Sequence, residues 1–145
     1  MKKVPKILKG FSHYKCLNWK EYWDNGRIWK KGSYKYGKKH GLWEIYSKEG
    51  ELFKQVNYKD GIKDGLFVRY WSKMGDGRLM DKGNFKNGKP DGLWEDYYKD
   101  GKLSCKRNYK NGELDGLYES YFTDGDLTLM KYYKDGELLT GYRRI

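Results

Sequence analysis

Few residues in this chain have the types and the spacing that metal binding requires. The two histidines are His13 and His40, and His13 lies three residues before Cys16. Structural zinc sites use four ligands that usually occur as two close pairs, and the sequence offers no second pair for His13 and Cys16. The other cysteine, Cys105, stands alone, which also argues against a disulfide framework. We therefore predict no metal site and no cofactor.

Carboxylates recur at one place in a repeated segment of the chain. Glu44, Glu95 and Glu119 each occupy the third position after a glycine that is followed by leucine. An enzyme that hydrolyses with a carboxylate pair needs that pair once, so the repetition favours ion pairs with lysines on neighbouring strands. We predict no catalytic residue and no small-molecule substrate, and we expect that the protein is not an enzyme.

Basic residues are concentrated at the amino-terminal end. The chain has a net charge of +11, and residues 1–40 contain 12 Lys and Arg against two acidic residues. Aromatic rings alternate there with a cluster of five lysines: Lys30, Lys31, Lys35, Lys38 and Lys39. Such a cluster suits an acidic protein surface, or equally the phosphates of single-stranded nucleic acid or of an anionic membrane. The simplest alternative is a solvated face that keeps a sheet edge unpaired.

The composition is typical of a folded, soluble chain. Disordered segments are poor in aromatic residues, whereas 18% of this chain is aromatic, with 15 Tyr and 6 Trp. The positively charged start is not followed by the apolar run of a signal peptide, and no stretch of about 20 apolar residues occurs. We expect a cytoplasmic protein.

The elements that position these residues are repeats. A glycine begins each copy at Gly41, Gly65, Gly92, Gly116 and Gly141, at intervals of 24, 27, 24 and 25 residues. Each copy contains two aromatic-rich runs separated by Asp-Gly or Asn-Gly, the strongest short-range signal of a β-hairpin. We predict a basic tail or cap over residues 1–16, followed by a repeat domain over 17–145 with units at about 17–40, 41–64, 65–91, 92–115 and 116–145.

Side-chain alternation assigns residues to the two faces of the predicted sheet. Leu42 and Tyr46 are four residues apart, so they share a face. A three-residue turn with a bulge would put Val56 and Tyr58 of the next strand on that same face. We favour that turn, and it requires positive φ angles at Gly50, Gly77, Gly101 and Gly125. The opposite face would carry Trp43 and its equivalents in the other units.

The segments "YKNGELDGLYESYF" and "DGLWEDYYKDGKL" resemble the MORN repeat class, and more closely its bacterial variant, found in proteins often labelled YwqK-family antitoxins. The resemblance covers about residues 19–145. It implies an all-β fold, a single-layer antiparallel meander of tandem hairpins curled into a trough that serves as an interaction platform. The insertion "KMGDG" at 73–77 and the basic first unit depart from the repeat pattern.

These observations together predict a non-catalytic scaffold that binds a protein partner, one that is acidic or associated with nucleic acid, and that inhibits or neutralises it in the manner of an antitoxin or a phage-type inhibitor. Alternative functions are binding of nucleic acid and peripheral binding to an anionic membrane. We predict that the partner contacts the five lysines and a stripe of exposed rings: Trp29, Trp43, Phe67, Trp94 and Tyr118. Alternatively, these rings pack only on one another and stiffen the sheet.

Overall fold

A single antiparallel sheet makes up the structure, a computed structural model that describes residues 16–71 and 77–143. The predicted tail, apart from Cys16, and most of the insertion lie outside these residues. The strands are β1 (Leu17–Tyr22), β2 (Ile28–Lys35), β3 (Lys38–Tyr46), β4 (Leu52–Lys59), β5 (Ile62–Tyr70), β6 (Leu79–Lys86), β7 (Lys89–Pro90), β8 (Gly92–Tyr97), β9 (Leu103–Lys110), β10 (Glu113–Tyr121), β11 (Leu127–Lys134) and β12 (Glu137–Arg143). The described residues contain no helix. The predicted all-β, single-layer meander is confirmed.

Each strand pairs with its neighbour in the sequence. The order runs from β1 to β12, and β7 and β8 are two parts of one strand, interrupted at Asp91, that both pair with β6. The Asp91 N–H donates to the Asn84 carbonyl at 2.9 Å across this interruption. The sheet does not close, so within the described residues β1 and β12 are its two edges.

The turns inside the first, second, fourth and fifth units are the predicted three-residue turns. In the second unit the Ser47 N–H donates to the Glu51 carbonyl at 2.8 Å, and the Gly50 N–H donates to the Ser47 carbonyl at 3.1 Å. Gly50 has a φ of 93°, and Gly77, Gly101 and Gly125 have φ angles of 55°, 89° and 101°. An L-residue with a side chain rarely adopts these angles, which explains the glycine. The prediction of positive φ at all four positions is confirmed.

The turn between units is shorter. Lys59 pairs with Ile62, and the two residues between them, Asp60 and Gly61, have φ angles of 51° and 90°, as a type I′ turn requires. The same geometry recurs at Asn87-Gly88, Asn111-Gly112 and Asp135-Gly136. In the first unit the turn is Tyr36-Gly37, so a tyrosine occupies a left-handed position that asparagine and aspartate tolerate better.

An extra residue in the second strand of each hairpin changes which residues share a face. Tyr46 pairs with Leu52, whereas Ile45 pairs with Lys54, so Phe53 is an additional, bulged residue. The same shift occurs beside the corresponding turns of the other four units. One additional residue reverses the alternation of every side chain beyond it.

Val56 therefore pairs with Trp43, and Tyr58 pairs with Gly41. The prediction that Val56 and Tyr58 share the face of Leu42 was wrong, because the bulge lies inside the strand, at Phe53, and not within the turn. We call the side that carries Trp43, Val56 and Phe67 the tryptophan face, and the side that carries Leu42, Leu66 and Leu93 the leucine face.

The hydrophobic core lies on the tryptophan face. Its buried centre consists of Val56, Phe67 and Trp94, and three half-buried rings pack around it: Tyr58, Phe85 and Tyr109. Trp43, with 2% of its surface exposed, continues the core towards the first unit. Aromatic rings can fill a one-layer core because each buries a large area and meets its neighbours edge to face, as Phe85 and Trp94 do at 5.2 Å.

Candidate binding surfaces of the sheet

The rings of the tryptophan face lie in a row across the strands. Trp43 and Trp94 lean onto the preceding unit, where the backbone carries a glycine: Gly32 under Trp43 and Gly83 under Trp94. The indole N–H groups donate to the carbonyls of the residues that follow these glycines, Trp43 to Ser33 and Trp94 to Asn84, both at 3.1 Å. In both units the acceptor is the carbonyl of the residue after the glycine. These hydrogen bonds hold the two indole rings against the sheet, so the tryptophans have a structural role.

Three of the five rings predicted to contact a partner are therefore not exposed. Trp43, Phe67 and Trp94 have 2%, 7% and 8% of their surfaces exposed. The expectation that they form an exposed stripe is wrong, and the alternative, that they pack on one another, is what the structure has. The reason is that each ring covers the strand beside it, so the sheet buries one face without a second layer. Tyr118 is half-buried beside Tyr133, with ring centroids 6.3 Å apart.

Trp29 is not a member of this row. It is the bulged residue of β2, and its ring centroid is 5.4 Å from that of Trp23. The position that corresponds to Trp43 in the first unit is Trp19, which pairs with Gly32. Sequence reasoning missed Trp19, although the repeat alignment places it in the same register as Trp94.

The leucine face is the more exposed side of the sheet. Leu42, Leu66 and Leu93 expose 44–45% of their surfaces, and each pairs with an asparagine on the adjacent strand. These three leucines are therefore not part of the packed core. Two tyrosines of this face are half-buried, and their hydroxyl groups are hydrogen-bonded. The Tyr97 hydroxyl donates to Glu95 at 3.1 Å, and the Tyr70 hydroxyl donates to Gln55 at 3.3 Å.

Two of the three repeated glutamates, Glu44 and Glu95, form ion pairs on the leucine face, as the sequence indicated. Lys31 contacts Glu44 at 2.8 Å, and Lys82 contacts Glu95 at 2.7 Å. Burial alone would raise the pKa of Glu44, but Lys31 and Gln55 hydrogen-bond to its carboxylate and lower the pKa overall. These glutamates are ionised partners of lysine, a structural arrangement rather than that of a general acid.

Acidic groups of the tryptophan face pair with arginines. The Arg69 Nε donates to both carboxylate oxygens of Asp81 at 3.1 Å, and Arg107 contacts Asp96 at 2.7 Å. Asp81 and Asp96 are register partners, and the pKa of Asp96 is raised by burial and further by Asp81, against the opposing effect of Arg107. The two arginines compensate the two carboxylates, so this cluster has no net charge.

The five predicted lysines do not converge on one surface. Lys30 and Lys39 belong to the tryptophan face, whereas Lys31 belongs to the leucine face. Lys35 pairs with Lys38 across the Tyr36-Gly37 turn. Lys30 and Lys31 are already bound by Glu21 and Glu44. Lys54 and Lys63 of the tryptophan face also lie over its aromatic rings, and sequence reasoning did not single them out.

The described residues that could act as nucleophiles or metal ligands do not form a reactive site. In the described part of the chain, no three His, Cys, Asp or Glu side chains are placed to hold a metal ion. The Cys105 thiol is buried, which raises its pKa, and burial together with the contact to Cys105 raises the pKa of Tyr118 to about 12. A neutral thiol is a poor nucleophile. The His40 Nδ1 lies 3.6 Å from a carboxylate oxygen of Asp60.

Comparison with known proteins supports the repeat assignment. A family model described as the MORN repeat variant matches residues 15–36, 39–60, 90–111 and 114–135, and these four segments span the hairpins β1–β2, β3–β4, β7–β9 and β10–β11. The unmatched hairpin, β5–β6, contains the insertion but keeps the same register shift. No curated protein matches the chain. In the described residues no helix has the length and apolar character needed to cross a membrane.

The matches cover more than half of the chain, and the described strands have the hairpin repeat that the family model describes. The chain belongs to the MORN repeat variant family.

Proposed function

We propose that the protein is a non-catalytic scaffold that binds an acidic macromolecular partner in the cytoplasm and inhibits or neutralises it. MORN repeats generally suggest binding scaffolds, which supports a binding role. The observation that favours an acidic partner is an excess of positive charge at one end of the sheet. The first unit and its turn contribute more cations than the described carboxylates compensate, because Glu21 and Glu44 each bind a single lysine.

Excess positive charge at one end favours association with an acidic surface. Complementary charge accelerates encounter and discriminates between partners, and its effect falls as salt screens it. The buried rings weaken the case for single-stranded nucleic acid, since bases bind such modules by stacking on exposed aromatic faces. An inhibitor needs no chemistry of its own, because it acts by covering a surface of its target.

The test is affinity capture from the native host with the complete chain as bait. Lysate is treated with nuclease and detergent, and retained proteins are identified near physiological ionic strength, about 0.15 M. We expect one protein to be retained in a fixed ratio to the bait and to be acidic. The activity of that protein is then measured as the bait is added, and we expect a progressive loss. Capture of nucleic acid alone, or a partner whose activity does not change, would contradict the proposal.

A further inference from the structure

Three lysines of the tryptophan face lie over its aromatic core. The Lys39 Nζ is 4.6 Å from the ring centroid of Trp43 and 4.9 Å from that of Tyr58. The Lys63 Nζ is 4.5 Å from the ring centroid of Phe85. Lys54 and Lys63 both approach Phe67, at 5.0 Å and 6.0 Å from its centroid.

No described carboxylate forms an ion pair with any of these three lysines. The nearby acids are already bound, Glu21 by Lys30 and Asp81 by Arg69. Several other half-buried cations of the sheet are paired, as Lys31 is with Glu44 and Lys82 with Glu95. Lys39, Lys54 and Lys63 differ from these in lying together over the aromatic core without such a partner among the described residues, and we call them the lysine triad.

The members of the triad repel one another in a partly buried setting. Burial lowers the pKa of Lys54, and the charges of Lys63, Arg69 and Lys39 lower it further. Burial also lowers the pKa of Lys39, with a further contribution from Lys30. Attraction to the ring faces offsets part of this cost. An anion placed between the ammonium groups would offset much more.

The chemistry of the rings beneath the triad selects the kind of anion. Trp43 and Phe67 are buried, and the lysines cover what remains of their faces, so a nucleic-acid base has no ring on which to stack. Carboxylates need only the ammonium donors, with which they form charge-assisted hydrogen bonds. Lys39 and Lys63 occupy matching positions two strands apart, about 10 Å along the sheet, a span that successive acidic side chains of one peptide segment can bridge.

We infer that Lys39, Lys54 and Lys63 form a binding site for a segment rich in Asp and Glu on a protein partner, whose carboxylates supply the charge that this chain lacks there. The inference rests on the proposed function for the existence of a partner, and it adds the place and the chemistry of the contact. The segment would lie across β3, β4 and β5 on the tryptophan face, over the aromatic core.

The experiment compares two triple variants of the complete chain. The test variant carries Lys39→Gln, Lys54→Gln and Lys63→Gln. The matched control carries Lys59→Gln, Lys86→Gln and Lys110→Gln, three exposed lysines that precede successive turns and have no ion pair among the described residues. Both variants lose the same net charge. Binding of a fluorescein-labelled oligoglutamate peptide is measured by anisotropy, with labelled oligothymidine and anionic lipid vesicles as the other probes.

We expect the test variant to bind the oligoglutamate peptide at least about tenfold more weakly than the wild type, and the control variant to bind it within about twofold of the wild type. We also expect the test variant to unfold at the same temperature as the wild type or higher, since the repulsion is removed. Equal weakening in both variants would overturn the inference, because it would show only an effect of net charge. Preferential binding of oligothymidine or vesicles to the triad would also overturn it.

The same two variants serve as baits in the capture experiment. If the wild type captures no protein, the proposed function fails. If the wild type and both variants capture the partner equally, the proposed function stands and the lysine triad is refuted as its binding site.

Discussion

The indole of Trp94 lies directly against the backbone of Gly83. A Cβ atom built on Gly83 would be 2.2 Å from the Cδ2 atom of Trp94, a distance at which the ring must move. The Trp43 ring has the same relationship to Gly32, with a corresponding distance of 2.3 Å. The glycines are therefore required by close packing rather than by their φ angles, since neither has a positive φ. Removal of a side chain from one strand makes room for a large ring from the next.

This relationship predicts that Gly83→Ala destabilises the protein. Alanine in an extended strand normally stabilises by lowering the entropy of the unfolded chain. Here the added methyl group displaces a ring that also donates a hydrogen bond to the Asn84 carbonyl, so we expect a loss of roughly 1–3 kcal/mol in the free energy of unfolding. Urea denaturation, monitored by tryptophan fluorescence, measures this change in the free energy of unfolding.

The control for this prediction is a double-mutant cycle with Trp94→Leu. In that background the methyl group has space, and we expect Gly83→Ala to cost little or to stabilise. Gly141→Ala is a second control, since the nearest atom to its added Cβ belongs to the flexible side chain of Lys131. Equal costs of Gly83→Ala with and without the indole would contradict the packing argument.

The turn at Tyr36 predicts a stabilising substitution. Tyr36 has a φ of 49° and is 57% exposed, whereas the equivalent positions in the other units are Asn or Asp. We expect Tyr36→Asn to raise the free energy of unfolding by about 0.5–1 kcal/mol, because asparagine tolerates the left-handed region at lower cost. The reverse change, Asn111→Tyr, should lower it by a similar amount in thermal denaturation. An unchanged melting temperature in both variants would argue that neither turn is strained.

The position of His40, at a contact between two units, predicts a second stabilising substitution. Asp64, Asp91 and Asp115 each accept the N–H of the first turn residue of the following unit, for example Asn111 N–H to Asp91 at 3.2 Å. His40 occupies that position in its unit, and its Nδ1 has no hydrogen-bond partner within residues 16–71 and 77–143.

We therefore expect His40→Asp to stabilise by about 0.5–1 kcal/mol by accepting the Asp60 N–H, and Asp91→His to destabilise by about 1 kcal/mol. Amide hydrogen exchange at Asp60 provides the direct readout, and it should slow in His40→Asp. Faster exchange there would mean that repulsion between the two carboxylates outweighs the new hydrogen bond.

The Lys31–Glu44 ion pair predicts a pH dependence. Because the pKa of Glu44 is lower in the folded state than its ordinary value of 4.5, its contribution to stability is complete above that pH and is lost as the pH falls through the lowered pKa. Glu44→Gln should cost roughly 0.5–1 kcal/mol at neutral pH and make the stability curve flatter between about pH 5 and pH 3. Glu137→Gln, at an exposed carboxylate without an ion pair among the described residues, should leave the curve unchanged. The same slope in Glu44→Gln and the wild type would refute the assignment.

The sequence by itself determined the repeat, the hairpins and the sites of the glycine turns. These features are local: Asp-Gly and Asn-Gly fix the type I′ turns, and Gly50 and its equivalents fix the three-residue turns, without reference to the rest of the chain. The pairing of Glu44 and Glu95 with lysines of neighbouring strands was also predicted, because carboxylates that recur in successive units are not a single catalytic pair. The unit with the insertion also keeps the register shift, between Arg69 and Tyr70.

Only the tertiary structure decided which face is buried and where the excess lysines meet. The bulge at Phe53 has no signal in residue type, since the bulged positions hold Trp, Phe, Met, Ser and Thr, yet it moves Val56 and Tyr58 to the side of Trp43. Burial of the rings depends on contacts between units, such as Trp94 on Gly83, which alternation within one strand cannot reveal. The lysine triad draws Lys39, Lys54 and Lys63 from three strands, and their proximity is set by strand register, a property of the whole sheet.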